Sequence, residues 1–368
     1  MNITYFDLDD VANPLLGAGQ ARATYEVASR LAARGHNVTV VASNYPGARD
    51  RVEAGIHYTH IGPATGNIKV NNFAYFAAVP WYAKSLTRQK ADVVLECFTA
   101  PTSTLMSPLF TKVPVVAIPS MFNAKEFSKK YHLPFEIIEK FGVAHYRYAL
   151  PYSDVDSAKL KKLNPNITYE IIGQGVGDEY TNLKLTTPKH ILFLSRLDMD
   201  QKGIDLLLEA YAKIANSVTY PLVIAGHGPD EKKIAQYIHA LHLEKSVTMV
   251  GGAYGEKKFK LMAEAVCVAF PSRHDEMCLW TLEGLAAGLP FVVFDLPESR
   301  WMPETVSLKA PMYDVASFAT LLKKAADPKV RDTMGKAARK FTRQFNWENV
   351  VNRYEKFLTM VVDRERKN

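Results

Sequence analysis

Short apolar runs alternate with amphipathic stretches along the whole chain. Asn2–Phe6 has strand character, and Ala21, Tyr25, Ala28 and Leu31 recur at helical spacing across Ala21–Ala33. Between them Gly17–Gly19 reads as a turn, Gly35 ends the helix, and Val38–Ala42 is a second buried strand. Val93–Leu95, Val113–Ile118 and Ile167–Ile172 read as further strands, whereas Met121–Leu150 is less regular and rich in aromatic and basic residues. Such alternation favours parallel sheets covered by helices.

Thr181–Lys189, TNLKLTTPK, is polar, carries a proline and has little to bury, so it reads as a linker. Beyond it the alternation restarts. Strands are expected at His190–Ser195, Leu222–Ala225, Val247–Val250, Val266–Phe270 and Phe291–Phe294. Helices are expected between them at Asp205–Ala215, Glu231–His242, Glu256–Glu264 and Trp280–Ala287. Val315–Ala326, Val330–Arg343 and Glu348–Asp363 read as closing helices. The pattern predicts two α/β domains, residues 1–180 and 190–347, joined by a linker at 181–189 and with parallel sheets facing a central cleft. Ligands of such sheets sit outside the carboxyl ends of strands, beside helix N-termini. Candidate chemistry is therefore judged by whether it falls there.

Composition narrows the classes. A chain of 368 residues, 48 % hydrophobic and 23 % charged, is ordinary for a soluble protein of two domains. Cys97, Cys267 and Cys278 are odd in number and sit in or beside apolar runs, which argues against a disulfide framework or a zinc site and suits a reducing cytosol. No apolar run reaches the ~18 residues needed to span a bilayer. The start, MNITYFDLDD, is acidic where a secretory signal is basic. A cytoplasmic protein is expected. The net charge of +7 suits either a plain solvated surface or an anionic partner: a sugar nucleotide, a lipid phosphate or the inner face of a membrane. No nucleic-acid motif accompanies it, so nucleic acid is not among the expected partners.

Four segments could carry chemistry. GAGQ, Gly17–Gln20, lies between the first strand and helix, where glycines let backbone N–H groups approach an anion; it also suits a plain turn. Arg196 and Lys202 flank the loop after the strand ending at Ser195, where an arginine fork and a lysine point charge can clamp a diphosphate. Gly226-His227-Gly228-Pro229 reads foremost as a close-packed structural turn. Finally, FPSRHDEMCLWTLEGLAAGLPFVVFD, Phe270–Asp295, places Arg273, His274, Asp275 and Glu276 in a polar loop between a buried strand and a helix. Glu276 and Glu283 align on one face only if that helix covers both.

Taken together, these segments resemble glycosyltransferase family 4, the retaining transferases of GT-B fold. The shared features are GAGQ, Arg34-Gly35-His36-Asn37-Val38, Arg196 with Lys202-Gly203, Gly226-His227-Gly228-Pro229, Pro271-Ser272 with Leu282-Glu283, and Phe345-Asn346-Trp347-Glu348, in the family's order along nearly the whole chain. The resemblance implies two Rossmann-like domains, an N-terminal acceptor domain and a C-terminal donor domain, with the last helix, about 348–368, crossing back to the first. It implies transfer of a sugar from a UDP- or GDP-linked donor, with retention and without a metal or other cofactor.

Residue roles follow from the same resemblance. Gly17 would shape a turn that sets the Gly19 N–H against the donor phosphate. Arg196 and Lys202 would bind the diphosphate and stabilise the departing nucleotide. The backbone of Met277, Cys278 and Leu279 would meet the sugar and phosphate, Glu283 would accept ribose hydroxyls, and Val250 and Gly251 begin the base-binding loop. Three departures stand out. Asp275 takes the place of the family's leading Glu, with Glu276 following where a Gly is expected, and either carboxylate could hold the sugar. Met277-Cys278 replaces Phe-Gly. Ser120 falls where an N-terminal-domain histidine is usual, with His132 and His145 downstream. The acceptor is open: a carbohydrate, a lipid-linked compound or a small molecule. Asn71–Lys84, NNFAYFAAVPWYAK, and the basic tract Lys125–Lys130 suit either core packing and solvation or an interfacial face at a membrane. Two other readings share the motifs: a sugar-nucleotide epimerase of GT-B type, and a degenerate protein that binds a sugar nucleotide without turnover.

Overall fold

Two sheets organise the chain in the computed structural model, which describes residues 1–15, 19–120, 122, 124–273, 275 and 277–367. The first contains β1 Asn2–Phe6, β2 Asn37–Ser43, β3 Arg51–Glu53, β4 Ile56–Ile61, β5 Val93–Cys97, β6 Val115–Ile118, β7 Tyr148–Ala149 and β8 Thr168–Tyr169. Their spatial order is β3-β4-β2-β1-β5-β6-β7-β8. All neighbours are parallel except the β3–β4 pair. The central strands are mostly apolar and buried, as expected where helices cover both faces, with Thr4 on β1, Thr39 on β2 and the buried Glu96 on β5 among the polar exceptions. Pro114, which has no N–H to give, delays β6 to Val115. The strand expected over Ile167–Ile172 shrinks to two half-buried residues at the sheet edge.

The second sheet contains β9 His190–Leu194, β10 Leu222–Ala225, β11 Val247–Met249, β12 Ala265–Phe270, β13 Phe291–Phe294 and β14 Ser307–Ala310. It is entirely parallel, in the order β11-β10-β9-β12-β13-β14. Strand order reverses between β9 and β12, and such a switch point opens a crevice at the carboxyl ends of the two strands. The first sheet has the same kind of reversal between β1 and β5.

The chain divides into two compact units, Met1–Gly173 with Trp347–Asn368, and Gln174–Asn346. The segment read as a linker is carried by the second unit. Arg331 donates to the carbonyls of Thr186 and Ala263, at 2.9 and 3.1 Å. Arg339 donates to those of Thr181, Leu183 and Ala287. Leu183 and Leu185 pack against that unit's core, contacts invisible in a polar string. The helix Trp347–Arg366 belongs to the first unit and packs on the helix Gly19–Ala33. Arg34 reaches Glu348 at 2.7 Å and Glu355 at 2.8 Å, and His36 meets Glu355 at 2.8 Å. The Arg-Gly-His motif thus ties the last helix in place.

The less regular stretch and the aromatic stretch both contain helices. Met121–Leu150 contains Ala124–Tyr131 and Phe135–Val143. Asn71–Lys84 lies within Ile68–Ser85, whose start is capped by the Asn67 side chain accepting from the Lys69 N–H. That helix is split by face: Tyr75, Val79 and Ala83 are buried, while Phe73 and Trp81 are 77 and 74 % exposed. Among the described residues no helix is long and apolar enough to cross a membrane.

Candidate functional site

At the second switch point, β9 ends in a loop and a short helix, Met199–Lys202, capped by Asp198, which accepts from the Gln201 N–H at 3.0 Å. Gly203 follows with φ +63°, the left-handed region that glycine tolerates best. A Cβ there would stand 2.1 Å from the Pro271 carbonyl oxygen, so only glycine lets this turn lie against the end of β12. The contact is sealed from the other side. The Arg273 N–H donates to the Gln201 carbonyl at 2.9 Å, and the Arg273 guanidinium grips Asp205 through two bonds. The loop after β9 and the loop after β12 therefore form one block.

Lys202 is the product of that block. It is only 8 % exposed, its ammonium meets Asp275 Oδ2 at 2.5 Å, and it sits 5.7 Å from the Phe270 ring centre. The Ser272 hydroxyl donates to the same Asp275 oxygen at 3.1 Å. A cation held in so little water exerts a stronger field than one at the surface, provided it stays paired. Arg196 differs: its side chain is 61 % exposed and folds back on Asp198 at 2.7 Å.

The glycine-histidine-glycine-proline turn supports this loop. Gly226 has φ +147°, and a Cβ on it would stand 1.9 Å from the Ser195 carbonyl oxygen; one on Gly228 would stand 2.3 Å from that of Leu197. Close approach of the two backbones lets the Leu197 N–H donate to the His227 carbonyl at 2.9 Å. Val250 and Gly251 extend the same edge. The Gly226 N–H donates to the Gly251 carbonyl at 2.9 Å, and Lys257 Nζ donates to the Val250 carbonyl at 2.6 Å.

After β12 the helix begins at Leu279, with Cys278 as its N-cap and Met277 buried just before it. The helix does not reach back to cover residues ahead of Cys278, so its periodicity does not align Glu283 with the acidic loop. The Cys278 thiol is pushed up to about 12, by burial first and by nearby Asp275 second, with the Lys202 charge and then the Thr281 and Trp280 N–H groups opposing. Its side chain packs against the core of the second unit, and a thiol held protonated in this way is a poor nucleophile. Glu283 lies one turn inside the helix and its Oε2 accepts from Lys258 Nζ at 2.6 Å. Gly17, His274 and Glu276 lie outside the described residues.

In the first unit Gly19 opens the helix Gly19–Ala33 behind β1. The Ser120 hydroxyl donates to the Phe98 carbonyl at 2.8 Å. His132 is exposed at φ +55°, and His145 holds the Phe141 carbonyl at 2.8 Å beside the Phe141 ring. Those contacts place neither histidine in a cluster with Ser120. Sequence reasoning passed over the carboxylates that follow β1. Asp7, fully buried, is pushed up to about 6 by burial, against the lowering bond from Thr24. Burial would also raise Asp10, but hydrogen bonds from Arg51 and His60 overcome it and hold its carboxyl well below the usual range. The signal was present as FDLDD directly after a strand.

The family models match both halves of the chain in order. Residues 17–151 match Glycosyltransferase Family 4 and residues 181–341 match Glycosyl transferases group 1. A segment of 105 residues, 28 % of this chain, is 36 % identical to an uncharacterized glycosyltransferase, MJ1607, of Methanocaldococcus jannaschii, and spans 27 % of that protein's length. Among solved structures, sucrose-phosphate synthase from Thermosynechococcus elongatus superposes with a TM-score of 0.81 at 17 % identity, over 99 % of both chains. HepE from Anabaena, in complex with UDP, superposes with a TM-score of 0.73 at 14 % identity, over 98 % of this chain and 100 % of that one. With two parallel-sheet α/β units of GT-B type and both family domains in sequence, the chain belongs to the glycosyltransferases of family 4 and group 1.

Proposed function

We propose that the protein transfers a sugar from a nucleotide-diphosphate donor, UDP- or GDP-linked, to an acceptor held by its first unit, with retention at the anomeric carbon. The observation that carries this reading is the buried Lys202 ammonium, at the switch point and one short loop from the helix that starts at Leu279. Breaking the anomeric bond leaves an oxocarbenium-like sugar and a diphosphate on which negative charge grows. Preplaced cations and helix N–H groups meet that charge without reorganising. Lys202 has three N–H donors and spends one on Asp275, so the ammonium can hold the carboxylate and a phosphate oxygen together. Arg196 on its exposed arm suits the outer phosphate oxygens, and Asp275, bound by Lys202 and Ser272, suits a part in orienting the lysine. Charge stabilisation by these cations makes the reading a metal-independent one.

A thermal-shift panel tests it. A ligand that binds only the folded protein at 100 times its Kd adds about 2.7 kcal/mol. UDP or GDP, and one of their sugar conjugates, are expected to raise the melting point of the second unit by about 5 °C or more. Flat melting curves across all nucleotide diphosphates would sink the donor assignment. Donor consumed into an epimer with no acceptor present would replace transfer by epimerisation.

The acceptor side supports a peripheral membrane role. Tyr131, Leu133, Ile137 and Phe141 are 48, 52, 69 and 55 % exposed on the Ala124–Tyr131 and Phe135–Val143 helices and the turn between them. Lys125, Lys129, Lys130 and Lys140 lie on the same two helices, all four exposed to solvent. Apolar rings flanked by lysines fit the boundary of an anionic bilayer, where a lipid-linked acceptor would reside. The protein is expected to co-sediment with vesicles containing phosphatidylglycerol at low salt and to be released from purely zwitterionic ones. Equal behaviour on both vesicles would point to a water-soluble acceptor.

A further inference from the structure

We infer that Lys258 is a positioning residue that aims Glu283 at the ribose of the donor nucleotide; the inference rests on the donor reading above. Lys258 stands on the helix Gly255–Ala263, within a run, GEKKFK, that reads as solvated surface. Its neighbours in the fold say otherwise. The side chains of Lys258 and Glu283 are 18 and 13 % exposed. The ammonium donates to Glu283 Oε2 at 2.6 Å and to the Tyr180 hydroxyl at 3.1 Å. It also lies 5.0 Å from the Tyr180 ring centre and 5.6 Å from that of Trp280. Both rings are themselves buttressed, Tyr180 by Phe259 at 5.3 Å and Trp280 by Phe291 at 6.3 Å.

This cage has a physical consequence. Glu283 occupies a helix whose Trp280, Thr281, Leu282, Gly284, Leu285 and Ala286 are buried, a poor place for an uncompensated charge. Lys258 neutralises it through one carboxylate oxygen. A carboxylate has about four lone-pair sites, so the pair leaves capacity to accept from the two hydroxyls of a ribose. With three rotatable torsions a glutamate loses entropy each time it meets a ligand; one already pinned by a caged cation loses less. The same ion pair acting only as a structural brace would affect every nucleotide alike, which separates the two roles.

The test is calorimetric titration of the full chain with UDP, GDP and their 2′,3′-dideoxy counterparts, in the wild type, Lys258→Met and Lys258→Arg. In the wild type the preferred nucleotide is expected to bind roughly 10–100-fold more tightly than its dideoxy form, since hydrogen bonds to a charged acceptor are lost. In Lys258→Met the ribose-to-dideoxy ratio is expected to fall to about threefold or less, and in Lys258→Arg to recover, because the charge and reach return. An unchanged ratio in Lys258→Met, including the case where both affinities fall together, overturns the positioning role and leaves the donor reading standing. A wild type that binds neither nucleotide, or binds both forms equally, overturns the donor reading at Glu283 and this inference with it.

Discussion

Lys202→Ala is expected to lower kcat about 10²–10³-fold, the range seen when one preorganised charge-stabilising group is removed. Two effects combine. The substitution deletes the buried cation beside the acidic loop, and it strands the Asp275 carboxylate, which then meets the diphosphate as a like charge. Negative charge on the departing nucleotide is larger in the transition state than in the bound donor, so the loss falls on kcat as well as on donor affinity. Steady-state kinetics with varied donor, together with calorimetric binding of the free nucleotide diphosphate, separates the two. Lys202→Met keeps the packing on Phe270 and should show the same kinetic loss with less damage to stability. Kinetics indistinguishable from wild type in both variants would remove Lys202 from the mechanism.

Gly203→Ala is expected to destabilise the second unit by about 2–4 kcal/mol, or to push the loop after β9 off the end of β12. A left-handed backbone costs an alanine roughly 1–2 kcal/mol on its own. The new methyl would also lie 2.1 Å from the Pro271 carbonyl oxygen, a backbone atom that cannot swing aside. Gly35 provides the control. Its φ of +87° is equally left-handed, but nothing lies within 4 Å of the position a Cβ would take. Gly35→Ala should therefore show only the conformational cost. Denaturant melts of the two variants measure the difference, and equal losses would mean that close approach to Pro271 contributes nothing. Donor kinetics of Gly203→Ala add a second readout, because the displaced loop carries Lys202.

Much of the fold is legible in the sequence. Five of the six described strands of the second unit are short, largely apolar runs between helical stripes, and Leu222–Ala225 and Phe291–Phe294 are readable to the residue, whereas the edge strand Ser307–Ala310, SLKA, carries no such pattern and is not expected from it. A strand buried on both faces is nearly continuous in apolar residues, so its pattern is local and visible. The location of the cationic loop and of the acidic loop is visible for the same reason, since each follows such a strand.

The failures have a common cause. The segment 181–189 looks free because its anchors, Arg331 and Arg339, lie far along the chain and bind backbone carbonyls, which every sequence has. Lys258 goes unmarked in the sequence because neither Tyr180 nor Glu283 is near it along the chain. Asp7 and Asp10 look like an acidic terminus because burial, Arg51 and His60 are supplied by other parts of the sheet.

What the sequence determined by itself was the alternation of strands and helices, the family resemblance, and which loops stand at strand ends. Those properties follow from periodicity and from glycines whose backbone geometry no other residue matches. The tertiary structure alone decided which charges meet. It paired Lys202 with Asp275, Glu283 with Lys258, and Arg34 with Glu348 and Glu355, because an ion pair is set by where folded elements bring side chains, and burial then sets how strongly each pair is held.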